Sequence, residues 1–201
     1  MALLRMNFFI LFLIAFFINQ VNCQELTAVR SKSNLPNPRY FASSVYDGDD
    51  KIYIFGGDDG THLSDFLTYT LSTDFIEVNS DTGYKAYGGE MVRDGQGEIY
   101  YCGGVNVKAI MKYNQINKTW LEVAPLPRKT YFFDLLQLSE NTALIVGGNR
   151  NSEIVLFNMT DLSANIVGTI PELRVAYSTV AALYNEDEAI VFHIPYSGYT
   201  S

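Results

Sequence analysis

Cysteine, histidine and tryptophan are scarce: 201 residues hold two Cys, two His and one Trp. Cys23 ends an N-terminal apolar segment, so a chain cut after it keeps Cys102 alone, which excludes an internal disulfide framework and any cysteine-based metal cluster. Cys102 stands inside an apolar strand pattern beside Gly103 and reads as a small buried hydrophobe. His62, in a loop pattern, and His193, in a strand pattern, are too few for a transition-metal site, so no metal or cofactor is expected. Neither lies in a distinctive Ser, Cys or acidic context, so no nucleophile–base pair can be read and no enzyme activity is expected. Basic residues are also short, 14 against 22 acidic for a net charge of −8, which argues against bulk nucleic-acid binding.

Long apolar runs are missing except at the start. Arg5 precedes eleven unbroken apolar residues, Phe8 to Ile18, and Val21 and Cys23 are small enough to flank a cleavage site before Gln24. Residues 1–23 read as a secretory signal peptide, too short in its apolar part to span a bilayer, which needs about 20 apolar residues. The expected product is secreted or extracellular, free of the membrane after cleavage, and spans residues 24–201.

What the chain has in quantity is a repeat. Tyr69, Tyr113 and Phe157 are spaced by 44 and 44, and Ile76, Trp120 and Ala164 follow them by seven. Glycine pairs stand at 56–57, 103–104 and 147–148, each closing a short apolar strand pattern. Leu35-Pro36, Leu126-Pro127 and Ile170-Pro171 precede Arg39, Arg128 and Arg174, with Lys85 in the matching place of the second unit. Periods of this length, each holding several short strands, predict an all-β repeat architecture of propeller blades.

The stretches Tyr53-Ile54-Phe55-Gly56-Gly57, Tyr100-Tyr101-Cys102-Gly103-Gly104 with Tyr113 and Trp120, and Leu144-Ile145-Val146-Gly147-Gly148 with Phe157 resemble the Kelch repeat family of β-propellers. The resemblance implies blades of four antiparallel strands over about residues 39–79, 85–124 and 128–168, with a partial blade over 174–201 and a possible ring-closing strand at 24–30. First strands are expected to open at Tyr40, Ala86, Tyr131 and Tyr177. Three and a half blades fall short of the roughly four to eight of known propellers. The chain is therefore expected to be part of a longer one; a ring completed by a homo-oligomer, or four blades closed with N-terminal help, are the alternatives.

Antiparallel strands put the glycine-pair loops and the connections between blades on one end, here the first end. It collects Arg39, Lys85, Arg128, Lys129, Arg150 and Arg174 against Asp58, Asp59 and Glu172, while the hairpins of the second end carry nine acidic residues. Such polarity can steer an anionic partner. Arg39, Asp58, Asp59, Arg128, Lys129, Asn149, Arg150 and Arg174 are the candidate contact residues for a protein or an anionic glycan. For any one Arg, a bridging role between blades is the competing reading. Asn117-Lys118-Thr119 and Asn158-Met159-Thr160 fit the N-glycosylation pattern, and both fall in turns of the second end. Family resemblance also admits a fragment of a copper-dependent enzyme of the galactose-oxidase type, for which two His are few, and a structural protein of the extracellular matrix.

Overall fold

The computed structural model describes residues 30–195 except 82, 83, 86, 106, 172–175, 186 and 187. The expected signal peptide, the expected strand at 24–30 up to residue 29, Arg174 and residues 196–201 lie outside the described residues. The chain divides into two compact units, residues 1–31 and 32–201, and the second is described below.

Every regular element among the described residues is a strand. The first sheet is β1 (Ser43–Tyr46), β2 (Lys51–Phe55), β3 (Asp65–Thr70) and β4 (Phe75–Asp81); the second is β5 (Glu90–Arg93), β6 (Ile99–Cys102), β7 (Ala109–Asn114) and β8 (Thr119–Pro125). The third is β9 (Asp134–Ser139), β10 (Thr142–Val146), β11 (Glu153–Asn158) and β12 (Ser163–Thr169), and β13 (Ala176–Leu183) pairs with β14 (Ala189–Pro195). All pairings are antiparallel and strand order follows chain order, so each sheet is a meander. First strands lie beside one another in the order β1, β5, β9, β13.

The repeated aromatic positions have a structural meaning. Tyr69, Tyr113 and Phe157 sit directly across from Ile76, Trp120 and Ala164, the residues seven later. Each third-to-fourth pairing carries a register shift at the same place, after Phe66, Ile110 and Ile154. Each hairpin between these strands closes through a left-handed residue, Asp74, Lys118 or Leu162.

Sheets pack face to face, which explains the apolar runs. In β6, Ile99 and Tyr101 point toward the first sheet and join Phe55, Phe66 and Trp120, while Tyr100 and Cys102 point the other way, to Phe133, Ile145 and Phe157. A strand covered on both faces has no polar side to show, so it reads as unbroken apolar sequence. Cys102 is fully buried and free, and burial pushes its thiol pKa up. A third, smaller core joins Leu136 and Val146 to Ala181 of β13.

First strands start later than the sequence pattern predicts, at Ser43, Glu90 and Asp134 rather than Tyr40, Ala86 and Tyr131. The cause is a left-handed residue just before each strand: Phe41 (φ 55°), Gly88 (70°) and Phe132 (56°). These residues link neighbouring sheets. Gly88 N–H donates to Phe41 C=O (3.1 Å), Phe132 N–H to Gly88 C=O (2.7 Å), and Thr179 N–H to Phe132 C=O (3.0 Å).

Candidate functional site

The glycine pairs build the first end. Their second members, Gly57, Gly104 and Gly148, press against the carbonyls of Tyr40, Tyr87 and Tyr131 of their own sheets. Their first members meet the next sheet: a side chain on Gly103 would strike Thr130 C=O at 2.6 Å, and one on Gly147 would strike Thr179 Oγ1 at 2.5 Å. The equivalence Tyr40, Tyr87, Tyr131 follows, and it overturns the expected alignment of Arg39 with Arg128. Thr130, not Arg128, stands where Arg39 stands. Arg39 Nη1 donates to Gly56 C=O (3.1 Å) and Thr130 Oγ1 to Gly147 C=O (2.9 Å), so each ties a glycine carbonyl of its own sheet.

Arg39 is accordingly not a surface contact. Its side chain is 1 % exposed and forms a forked pair with Asp65, both N···O distances 2.8 Å. Arg128 and Lys129 stand exposed on the connection into Tyr131. Arg150 is exposed in the turn after Gly148, in left-handed conformation, and half-buried Asn149 donates its N–H to Tyr131 C=O (2.8 Å). Of the predicted basic cluster Arg39 drops out, while Lys85, Arg128, Lys129 and Arg150 are exposed in loops.

Asp58 and Asp59 part company. Asp59 lies in an exposed turn, where its carboxylate accepts from the Thr61 N–H and hydroxyl (3.1 and 3.0 Å). Asp58 is buried; its Oδ1 accepts from Tyr40 Oη (2.6 Å) and Gly60 N–H (2.7 Å), and His62 Nε2 stands 3.4 Å from Oδ2. The Tyr40 hydrogen bond, then the Gly60 N–H, hold the Asp58 carboxyl below the usual range, and the same Tyr40–Asp58 bond raises the tyrosine. This glycine-pair loop spans residues 56–64, three longer than those at 103–108 and 147–152. The added length carries the His62 ring over to Tyr87 of the next sheet, 4.3 Å between centroids.

An aromatic surface results. Tyr40 and Phe41 are 54 % and 50 % exposed. Phe41 meets Tyr40 (5.3 Å), Tyr87 (6.2 Å) and Phe132 (4.7 Å), and Phe132 meets Tyr131 (5.2 Å). These rings were not singled out from the sequence, though the signal was present: Tyr40-Phe41, Tyr87-Gly88 and Tyr131-Phe132 recur with the 47 and 44 spacing of the glycine pairs.

Between the starts of β1, β5, β9 and β13 lies a cavity of about 350 Å³, bounded by Phe41, Gly88, Phe132 and Thr179, with Glu90 and Asp134 on its wall. Asp134 belongs to a repeated device. Ser43 Oγ accepts the Met91 N–H (2.6 Å) and Asp134 Oδ2 accepts the Ala181 N–H (2.7 Å), so a polar residue opening one sheet satisfies a backbone donor of the next. Glu90 Oε2 accepts from Ser43 Oγ at 3.2 Å. Burial, with Asp134 adding to it, pushes the Glu90 carboxyl up to about 7.

At the second end, Asn117 is exposed in the β7–β8 turn, and Asn158 closes β11 with Oδ1 accepting the Thr160 N–H (2.9 Å). His193 lies in β14. The acidic hairpin tips are turn chemistry: Asp47 Oδ1 alone accepts three backbone N–H groups, from Asp49, Asp50 and Lys51.

No protein-family model matches the chain, and no curated protein matches it. Solved structures do match. The chain is similar to the protein of a structure titled "Structure of YjhT", with a TM-score of 0.67 and 15 % identity over 77 % of this chain. It spans 59 % of that neighbour's length. Likeness at this identity carries the fold alone, an all-β arrangement of four-stranded antiparallel sheets consistent with a β-propeller-like fold; no closed ring is identified among the described residues.

Proposed function

We propose that this chain is a Kelch-type propeller module that binds a protein or glycan partner through its first end, after export by its N-terminal leader and glycosylation at Asn117 and Asn158. The observation that carries this reading is the exposed aromatic surface around Tyr40 and Phe41. Apolar rings left in water at one end of a domain, rimmed by polar loops, mark an interaction surface. Aromatic residues are also the type enriched where partners meet. Arg128, Lys129 and Arg150 supply exposed positive charge on the same end, as a polar rim. Binding rather than catalysis is the activity proposed.

The test uses Phe41→Asn. Asparagine tolerates the left-handed backbone at this position, so the ring is removed while the φ of 55° remains accessible. Peptide-display and glycan arrays probed with the native chain, with Phe41→Asn and with Ile116→Ser, at an exposed turn of the second end, give the readout. The expected result is loss of the array signal in Phe41→Asn alone, with the thermal midpoint unchanged. An unchanged array profile for Phe41→Asn would discard the first end as the contact face.

A further inference from the structure

We infer that the cavity between the first strands receives a guanidinium group, presented by an arginine of a protein partner seated on the first end. This inference rests on the binding reading above and names the ligand chemistry of that site. Two walls of the cavity carry carboxylates, Glu90 and Asp134, and its rim carries the rings of Phe41 and Phe132, whose centroids are 4.7 Å apart. Among the described residues, neither carboxylate forms an ion pair with Lys or Arg; the pairs present are Arg39–Asp65, His62–Asp58, Lys112–Glu98 and Lys118–Glu77.

The polar duties of the wall are partly discharged from within. Asp134 accepts from Ala181 and Leu135, and one Glu90 oxygen accepts from Ser43. Among the described residues no donor reaches the other Glu90 oxygen, Oε1, so a carboxylate in a mostly buried place lines the cavity with acceptor capacity to spare. Above pH 7, where Glu90 is ionised beside Asp134, an anionic group entering here meets two like charges. A neutral apolar group leaves Glu90 unpaired. A cation answers the carboxylates and the aromatic faces together, since the quadrupole of a ring attracts positive charge on its face. Among cations, a divalent metal wants six or more oxygen ligands in the calcium case, whereas this wall is half aromatic. A planar guanidinium fits better than an ammonium, because it can stack on a ring and fork onto a carboxylate at once. A volume of about 350 Å³ accepts such a group with part of its stem.

The experiment titrates the native chain with a blocked Gly-Arg-Gly peptide, its citrulline counterpart, methylguanidinium and calcium chloride, by calorimetry or by chemical shifts of Glu90, Phe41 and Thr179. The arginine peptide is expected to bind, and the citrulline peptide, which keeps the shape and loses the charge, to bind about tenfold more weakly or worse. Glu90→Gln should erase most of that difference. Equal binding of the citrulline peptide, or full arginine affinity in Glu90→Gln, overturns the inference, as does calcium binding in place of the peptide. Methylguanidinium binding as tightly as the peptide would overturn the assignment to a protein partner. Should array binding depend on Phe41 and ignore Glu90→Gln, the first-end reading stands and the guanidinium site falls; should both variants bind as the native chain does, both fall.

Discussion

The carboxyl group of Glu90 lies between the Ser43 hydroxyl and Asp134, and burial lifts its ionisation from 4.5 to about 7. Tyr101 and Cys102, both near enough to feel its charge, are held protonated by burial well above that range. A folded-state pKa above the unfolded one means that the folded chain binds the extra proton between the two values. This contribution to stability is complete below pH 4.5 and is lost as pH rises through about 7. The whole swing is of the order of 3 kcal/mol at most. Glu90→Gln removes the titrating group and keeps an acceptor for Ser43. Urea midpoints should therefore show the variant level with the native chain near pH 4.5 and more stable by up to that amount at pH 8. A constant offset across this range would mean that Glu90 ionises like an exposed carboxylate. The arginine peptide should in turn bind the native chain more tightly at pH 8 than at pH 6.

At the scale of the elements, hairpins and glycine loops were the most readable parts of the chain. Tyr113 and Trp120 are neighbours in sequence and partners across a hairpin, so one local spacing reports both the turn and the register. Starts of the first strands were not readable in the same way. Gly88 advertises a left-handed backbone, but Phe41 and Phe132 adopt the same conformation without any such mark. They are held there by hydrogen bonds to residues more than forty positions away, which no local pattern shows. The same reason hid the pairing of Arg39 with Asp65 and made Arg39 look like a surface residue. Within the loops, two glycines separate backbone strain from crowding. Gly57 (φ +101°) has Ala42 Cβ and Tyr40 C=O each 3.1 Å from where a side chain would start, while Gly60 (φ +110°) faces open space. Gly60→Ala should cost about 1–2 kcal/mol from backbone strain alone. Gly57→Ala should cost about 3 kcal/mol or more, since the Tyr40–Ala42 segment of the same sheet must also give way. Chemical denaturation of the two variants checks this; equal losses would mean that the glycine-pair loop is less tightly seated against Tyr40 than its geometry implies.

At the scale of the molecule, strand direction separates two sets of loops. β2, β6 and β10 run toward the glycine pairs and β3, β7 and β11 run away, so the turns holding Asn117 and Asn158 lie opposite the aromatic rings. This polarity was legible from the repeat, because antiparallel order alone decides which loops share an end. The chemistry of the first end was not, since it depends on which rings stay in water after the sheets pack: Tyr100, Tyr101 and Tyr113 are buried, Tyr40 is not, and all are Tyr in strand-like sequence. If the two ends divide the work as proposed, glycans at Asn117 and Asn158 are compatible with binding, and a glycan on the first end is not. Arg128→Asn makes that test within the native loop, because Lys129 and Thr130 already complete an acceptor pattern behind it. Expressed through a secretory host, the variant should gain one glycan by intact mass and lose the array signal that depends on Phe41. Enzymatic removal of its glycans should restore that signal, which separates steric cover from loss of the Arg128 charge. Binding that persists with the added glycan in place would move the contact surface away from the first end.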